Sequence, residues 1–235
     1  MGDGPIAFVF AMPMEAKPLA KQLGLTATTL GDGPGRAGTL DGHEVVSIVT
    51  GMGTELAGKG IARLLGAVTP SQVVVVGIAG AVDDDIEIGT VVLPATVIDH
   101  GTGREHVHHL LGPGQTEGAL WTTDVMTPPA ELPGLIAKGV VALDMETAAI
   151  AQACEAADVP WTVFRAISDR ATEGGTDDEV FHLANQDGTP NPKAIAKFFL
   201  RHPGKIPAMA KMGKGASLAT KNATAAALAA VRATR

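Results

Sequence analysis

The chain has 235 residues, 46% of them hydrophobic and 3% aromatic, and a formal net charge of −7. That length buries one substantial core, and the acidic balance excludes a nucleic-acid backbone as partner, which would want a basic face. Cys154 is the single cysteine, so an intrachain disulfide is excluded; with no positive leader and no apolar run of ~18 residues, neither export nor a membrane partner is expected, and the reading is cytoplasmic.

In chain order, Ile6 to Phe10 reads as a strand, and Met14 to Leu23 as a helix reached through the loop Ala11-Met12-Pro13-Met14-Glu15-Ala16. Glu to Thr from 44 to 50 forms the next strand, closed by the glycine turn Thr50-Gly51-Met52-Gly53, and Glu55 to Leu65 the next helix. Gln72 to Gly77 holds four consecutive valines, the signature of a strand covered on both faces, and runs into Gly77-Ile78-Ala79-Gly80-Ala81-Val82. Asp83-Asp84-Asp85 lacks the alternating oxygen ligands of a calcium loop and reads as a charged turn. Thr90 to Ile98 is a further strand.

The segment Gly101 to Pro133 is rich in glycine and proline. His106, His108 and His109 have no carboxylate or thiolate cluster at matching spacing, so a solvated or lid-like loop is expected rather than a metal site. Asp144 is the expected N-cap of a helix from Met145 to Ala157, in which Glu146 shares the apolar side of Ile150 and Ala153 while Glu155 points to solvent. Pro160 stops that helix, and Thr162 to Ile167 is a strand. Arg165 and Asp169 have one parity on it, ~13 Å apart if the strand runs straight. On pattern alone these charges are either a buried ion-pair network or the flanks of a small ligand site. From Ala216 to Val231 the alanine-rich tail should be helical.

Alternating strands and helices imply a three-layer α/β/α fold with a mixed, mainly parallel central sheet, as one domain over 1–235 with 203–235 as a C-terminal helical extension. Ligands of such sheets bind outside the carboxyl ends of the strands. The loops after Phe10, Thr50 and Val76 fall there, and so does Asp169.

Together these motifs carry a resemblance. Met145-Glu146 opening a helix, Arg165-Ala166-Ile167-Ser168-Asp169 ending a strand and the three upstream loops stand in order over residues 6 to 171. The chain thereby resembles the nucleoside phosphorylase and nucleosidase superfamily, most closely the branch of 5'-methylthioadenosine/S-adenosylhomocysteine nucleosidases. The resemblance implies a purine nucleoside as small-molecule partner, no cofactor, and a homodimer or higher homo-oligomer. It makes Asp169, with Ser168 as a hydrogen-bonding neighbour, the general acid that protonates the base at N7, which asks for apolar burial to hold the proton near neutral pH. It makes Glu146 the acceptor of both ribose hydroxyls, with Met145 against the sugar, and Arg165 and Glu15 the pair that positions the nucleophile. Ile78, Ala79 and Gly80 line the substrate at the third glycine turn.

Two departures stand out. Ile78 occupies the place of a family serine, and Thr122-Thr123-Asp124-Val125-Met126 stands where a Ser-Gly-Asp triplet precedes an aromatic, so Met126 takes the place against the base. Phosphorylases of the superfamily use arginines near the first and third loops, whereas this chain has Glu15 in the first and no Lys or Arg from Ser71 to Gly103. A phosphate dianion there would carry several kcal/mol of uncompensated charge, so water is the expected nucleophile with Glu15 as general base or orienter. The alternatives are an exposed Glu15 favoured only by the helix dipole, a phosphate-dependent phosphorylase, and a non-catalytic nucleoside-binding protein.

Overall fold

A computed structural model describes residues 4–112, 114–170, 185, 189 and 191–234. Its hub is the valine-rich strand β5 (Gln72–Ala81), buried at nearly every step. β5 runs parallel to β1 (Ile6–Phe10) over Gln72 to Val75, and parallel to β11 (Trp161–Arg170) from Val73 onward. At Gly80 and Ala81 it meets β10 (Val140–Asp144) antiparallel. Parallel pairing continues from β1 to β4 (His43–Val49), and two antiparallel steps then lead to β3 (Gly33–Leu40) and β2 (Thr26–Leu30). On the other wing β10 leads to β9 (Ala119–Thr122), β7 (Thr96–Asp99) and β8 (Glu105–His106), while β6 (Val91–Val92) pairs β11.

Alternation along β5 sorts the core into two layers. Val73 and Val75 point into a cluster with Ala57, Ile61 and Leu64 of α2 (Thr54–Ala67) and with Ile150, Ala151 and Cys154 of α4 (Thr147–Ala156). Val74 and Val76 point the other way, against Ala16 and Leu19 of α1 (Pro13–Leu23) and a stripe Ala219, Ala223, Ala227 of the last helix. Side chains two apart on a strand face one way, so the pattern produces the α/β/α layering expected from the sequence. The sheet is mixed as expected, with its parallel strands at the centre and hairpins at the edges.

Local differences have local causes. The strand expected over Thr90 to Ile98 is broken into β6 and β7 around Pro94, which lacks an amide for the ladder. A short helix α3 (Leu132–Ala137) precedes β10. The hairpin β2–β3, poor in apolar residues and mostly exposed, gave no strand signal. Beyond the segment that is not described, α5 (Pro192–Arg201) leads to α6 (Ile206–Ala233), which contains the tail expected to be helical and builds it into the core.

The histidine segment is the main correction. His106 is buried with Nδ1 2.9 Å from Glu155, and His108 is buried with Nδ1 3.1 Å from the Thr162 hydroxyl. Neither is a solvated loop residue, although His109 is exposed. Burial lowers the pKa of His108 and favours the neutral ring. Glu155, expected in solvent, instead ties the β7–β8 hairpin to α4 by accepting from Arg104 Nη2 at 2.8 Å as well.

Candidate active site

Loops at the carboxyl ends of β1 and β4 meet the last half of β5 and the ends of β10 and β11, and acidic side chains close the junction; the stretch from Gly77 to Ala81, expected as a glycine turn, continues β5 and is paired with β11. Glu15 stands in the first turn of α1 but turns back over the loop before it. Its Oε2 accepts from the amides of Ala11 at 3.0 Å and Met12 at 2.8 Å, and its Oε1 from the amide of Ile78 at 2.9 Å. It is 1% exposed, which removes the alternative of a solvent-facing acid. One carboxylate thereby pins the β1 loop to the last half of β5.

Arg165 reaches the same place from β11. A Cβ built on Gly77 would lie 2.2 Å from Arg165 Nη1 and 2.7 Å from Glu15 Oε1, so this glycine is where the two side chains pass. Nη1 donates to the Ile78 carbonyl at 3.3 Å. Nη2 donates to Asp144, to Thr147 Oγ1 at 2.9 Å and to Glu146 Oε2 at 3.3 Å. Glu146 in turn accepts at Oε1 from the amide of Gly53 at 3.0 Å, which brings in the second glycine turn.

The helix expected from Met145 begins at Thr147, with Glu146 just outside it. Asp144 ends β10 and accepts from the Thr147 amide at 3.2 Å, from the Thr147 hydroxyl and from Thr122 Oγ1 at 2.6 Å. It does serve the start of α4, as expected of a cap, but its larger part is as the nearest counter-ion of Arg165. The sequence reading missed that part. The available signal was the Asp-Met-Glu spacing, which puts two acids astride Met145 at the end of a strand.

Three buried carboxylates therefore surround one guanidinium. Burial raises the pKa of Glu15, against the pull of Arg165 and of the three amides. Burial likewise raises Glu146, to about 7, with Arg165 opposing the rise and Asp144 adding to it. Burial opposes the charge of Arg165, but Asp144, Glu146 and Glu15 outweigh it and raise its pKa. One cation does not neutralise three acids, so the cluster favours holding a proton.

Asp169 differs from expectation. The β11 register shifts between Ile167, opposite Ala79, and Asp169, opposite Gly80, so Ser168 is an extra residue and Asp169 leaves the alternation that Arg165 and Ile167 share. Asp169 is exposed, not held in apolar burial. Its Oδ2 lies 3.5 Å from where a Cβ on Gly80 would be, and the buried Ser168 hydroxyl donates to Oδ1 and contacts the Ala79 carbonyl at 3.3 Å. Ala79 is buried, and Met145, Ile78 and Gly80 are half-buried around the same mouth. Met126 is exposed. Two residues before it, Asp124 accepts at Oδ1 from the Thr54 amide at 2.7 Å and at Oδ2 from the Thr54 hydroxyl. The loop after β9 thus caps α2 next to the Gly53–Glu146 contact.

The family model described as "Phosphorylase superfamily" matches residues 5–120 and 115–201. A 5'-methylthioadenosine/S-adenosylhomocysteine nucleosidase of Anoxybacillus flavithermus is 29% identical over 198 residues, 71% of this chain and 85% of its own. Among solved structures, the nucleosidase of that name from Streptococcus pneumoniae, with a transition-state inhibitor, superposes with a TM-score of 0.72 at 21% identity, over 98% of this chain and 100% of its own. A futalosine hydrolase of Helicobacter pylori superposes with a TM-score of 0.71 at 15% identity, over 98% of both chains. The fold is common to this chain and the two solved structures, and by the span of the family match the chain belongs to the phosphorylase superfamily.

Proposed function

We propose that the protein is a nucleosidase that hydrolyses the N-glycosidic bond of a purine nucleoside, releasing free base and pentose. The 5'-modified adenine nucleosides in the names of its relatives are the first candidates for substrate.

The observation that carries water rather than phosphate as nucleophile is the engagement of Glu15. Backbone amides at strand ends are ready anion donors, yet those of Ala11, Met12 and Ile78 are already taken by a buried carboxylate. Arg165, the cation of the site, is held by Asp144 and Glu146. A phosphate dianion entering here would meet net negative charge in a low dielectric. A water molecule meets only an acceptor for its proton.

In the proposed reaction the water oxygen bonds the anomeric carbon and its proton passes to Glu15, which the amides of Ala11, Met12 and Ile78 hold in place beside Arg165. The carbon–nitrogen bond breaks with its electron pair moving into the purine, which Asp169 protonates at N7. Glu146 accepts from the 2'- and 3'-hydroxyls and sets negative charge beside the developing oxocarbenium ion. Met145 packs on the sugar, Met126 on the base, and Ile78, Ala79 and Gly80 border the ring. Ser168 orients Asp169.

We propose further that the protein acts in the cytoplasm as a homodimer or higher homo-oligomer. Val107 and Val125 are exposed apolar residues suited to a subunit contact.

The decisive experiment measures base release from a panel of 5'-modified adenine nucleosides in phosphate-free buffer and again with phosphate. Release independent of phosphate, with pentose as co-product, is the expected result. Strict dependence on phosphate would make it a phosphorylase, and binding with no release would make it a carrier.

A further inference from the structure

The end of the chain carries a charge imbalance that the total conceals. From Asn191 to Thr234 there are eight Lys or Arg residues and no Asp or Glu, although the whole chain sums to −7. Residues 1–190 are correspondingly acidic. The expectation of no membrane partner considered only a leader and a spanning run, and neither bears on a charged surface patch.

The cations are arranged on the exposed faces of α5 and of the first half of α6. At 100° per residue, Lys193, Lys197, Leu200 and Arg201 of α5 fall within an arc of about 100°, and all four are exposed, Leu200 by 85%. In the first half of α6, Ile206, Ala210, Lys214 and Leu218 follow one another at fourfold spacing and are likewise exposed. The inner faces are anchored: Phe198 is buried under α5, and Ala219, Ala223 and Ala227 of α6 sit in the core. On this surface the cations lie among the exposed side chains of Leu200, Ile206 and Leu218.

That surface adjoins the site. A Cβ on Gly215 would lie 2.4 Å from the Ser168 carbonyl, and a Cβ on Gly89 would lie 2.9 Å from Leu218 Cδ2. The basic turn of α6 therefore rests on the strand end that carries Asp169.

We propose that this face docks the protein on an anionic lipid bilayer. The lysines and arginine meet the headgroups, while Leu200, Ile206 and Leu218 enter the boundary between headgroups and acyl chains. Clustered Lys and Arg on an amphipathic helix gain from an anionic surface. The interleaved leucines and isoleucine select lipid over a nucleic-acid backbone, which rewards cations but gives exposed aliphatic side chains nothing.

The test is co-sedimentation of the full chain with vesicles of phosphatidylcholine alone and of phosphatidylcholine mixed with phosphatidylglycerol, at low and raised salt. Binding to the mixed vesicles only, weakened by salt, is expected. Each cation removed should lower partitioning about fivefold, so Lys193→Gln with Lys197→Gln and Arg201→Gln lowers it about a hundredfold. Leu200→Ser with Ile206→Ser should weaken binding without changing its salt dependence. Base release from a soluble nucleoside is read in parallel and stays at the parent level, which separates loss of docking from loss of fold or of the proposed activity. Equal binding to both vesicle types, or binding to neither, overturns the proposal. So does tight binding to duplex DNA that the Leu200→Ser, Ile206→Ser protein keeps, or self-association lost in the triple variant without any vesicle binding.

Discussion

Arg165 crosses the bare backbone of Gly77, with Nη1 2.2 Å from the position a Cβ would take there. No strained backbone torsion requires this glycine; it is needed for room. Gly77→Ala should push both the guanidinium and Glu15 Oε1, 2.7 Å from the same point, out of place. Displacements of about 1 Å at a reacting centre cost on the order of 10²-fold in rate, and overpacking costs roughly 1–3 kcal/mol. Base release should fall by about that factor and the denaturation midpoint should drop. Unchanged turnover in the alanine variant would mean that Arg165 does not order the site.

Asp169 and Glu146 should separate in kinetics. General acid catalysis contributes about 10²–10⁴-fold, so Asp169→Asn should lower turnover by at least two orders of magnitude with little change in nucleoside affinity. Glu146→Gln should weaken both, because the same carboxylate would grip the ribose and stabilise its positive charge. Titration with a nucleoside beside steady-state assays distinguishes the two patterns. Near-full activity in Asp169→Asn removes it from the mechanism.

The legible part of this molecule was what periodicity and glycine placement encode. The valine run of β5, buried on both faces, sets the sheet, and the glycine turn after β4 and the glycines in the last half of β5, which were expected to form a turn but continue the strand, lie where the carboxylates converge. Glu15, Glu146 and Arg165 were singled out on type and position, and contacts at Gly53, Gly77 and Ile78 bring them together. What was not legible depends on partners far apart in sequence. Asp144 looks like a helix cap from its neighbours alone, and only Arg165, 21 residues on, reveals it as a counter-ion. His106 and His108 sit in a glycine-rich stretch whose polarity suggests solvent, but Glu155 and Thr162 supply buried partners. A bulge at Ser168 has no periodic signal, so the parity argument for Asp169 failed there.

Asp124 supports the site from outside it. By accepting from the amide and hydroxyl of Thr54 it caps α2 beside Gly53, whose amide donates to Glu146. Asp124→Ala should cost about 1 kcal/mol of stability, the usual worth of a helix cap. It should also raise KM severalfold at nearly constant kcat, since the Glu146 grip loosens while the reacting groups stay. Asn retains a capping oxygen, so Asp124→Asn should recover most of both. Equal losses in KM and kcat for the two variants would reduce Asp124 to a general structural residue.

The raised pKa of Glu146 makes a signed prediction about stability. Its folded value, about 7, lies above the ordinary 4.5, so between these limits the folded state binds more protons than the unfolded one. The contribution is fully present below the unfolded value and is lost as pH rises through about 7. Glu146→Gln cannot ionise and should lack this loss. Denaturant midpoints taken from about pH 5 to pH 8 should therefore move apart, wild type losing on the order of 2 kcal/mol relative to the glutamine variant. Glu15 titrates with the same sign but is common to both proteins, so the difference isolates Glu146. Because the ribose hydroxyls need the ionised carboxylate as acceptor, nucleoside affinity should rise over the same interval in which stability falls. Parallel pH profiles for wild type and Glu146→Gln would show that this carboxylate does not titrate near neutrality.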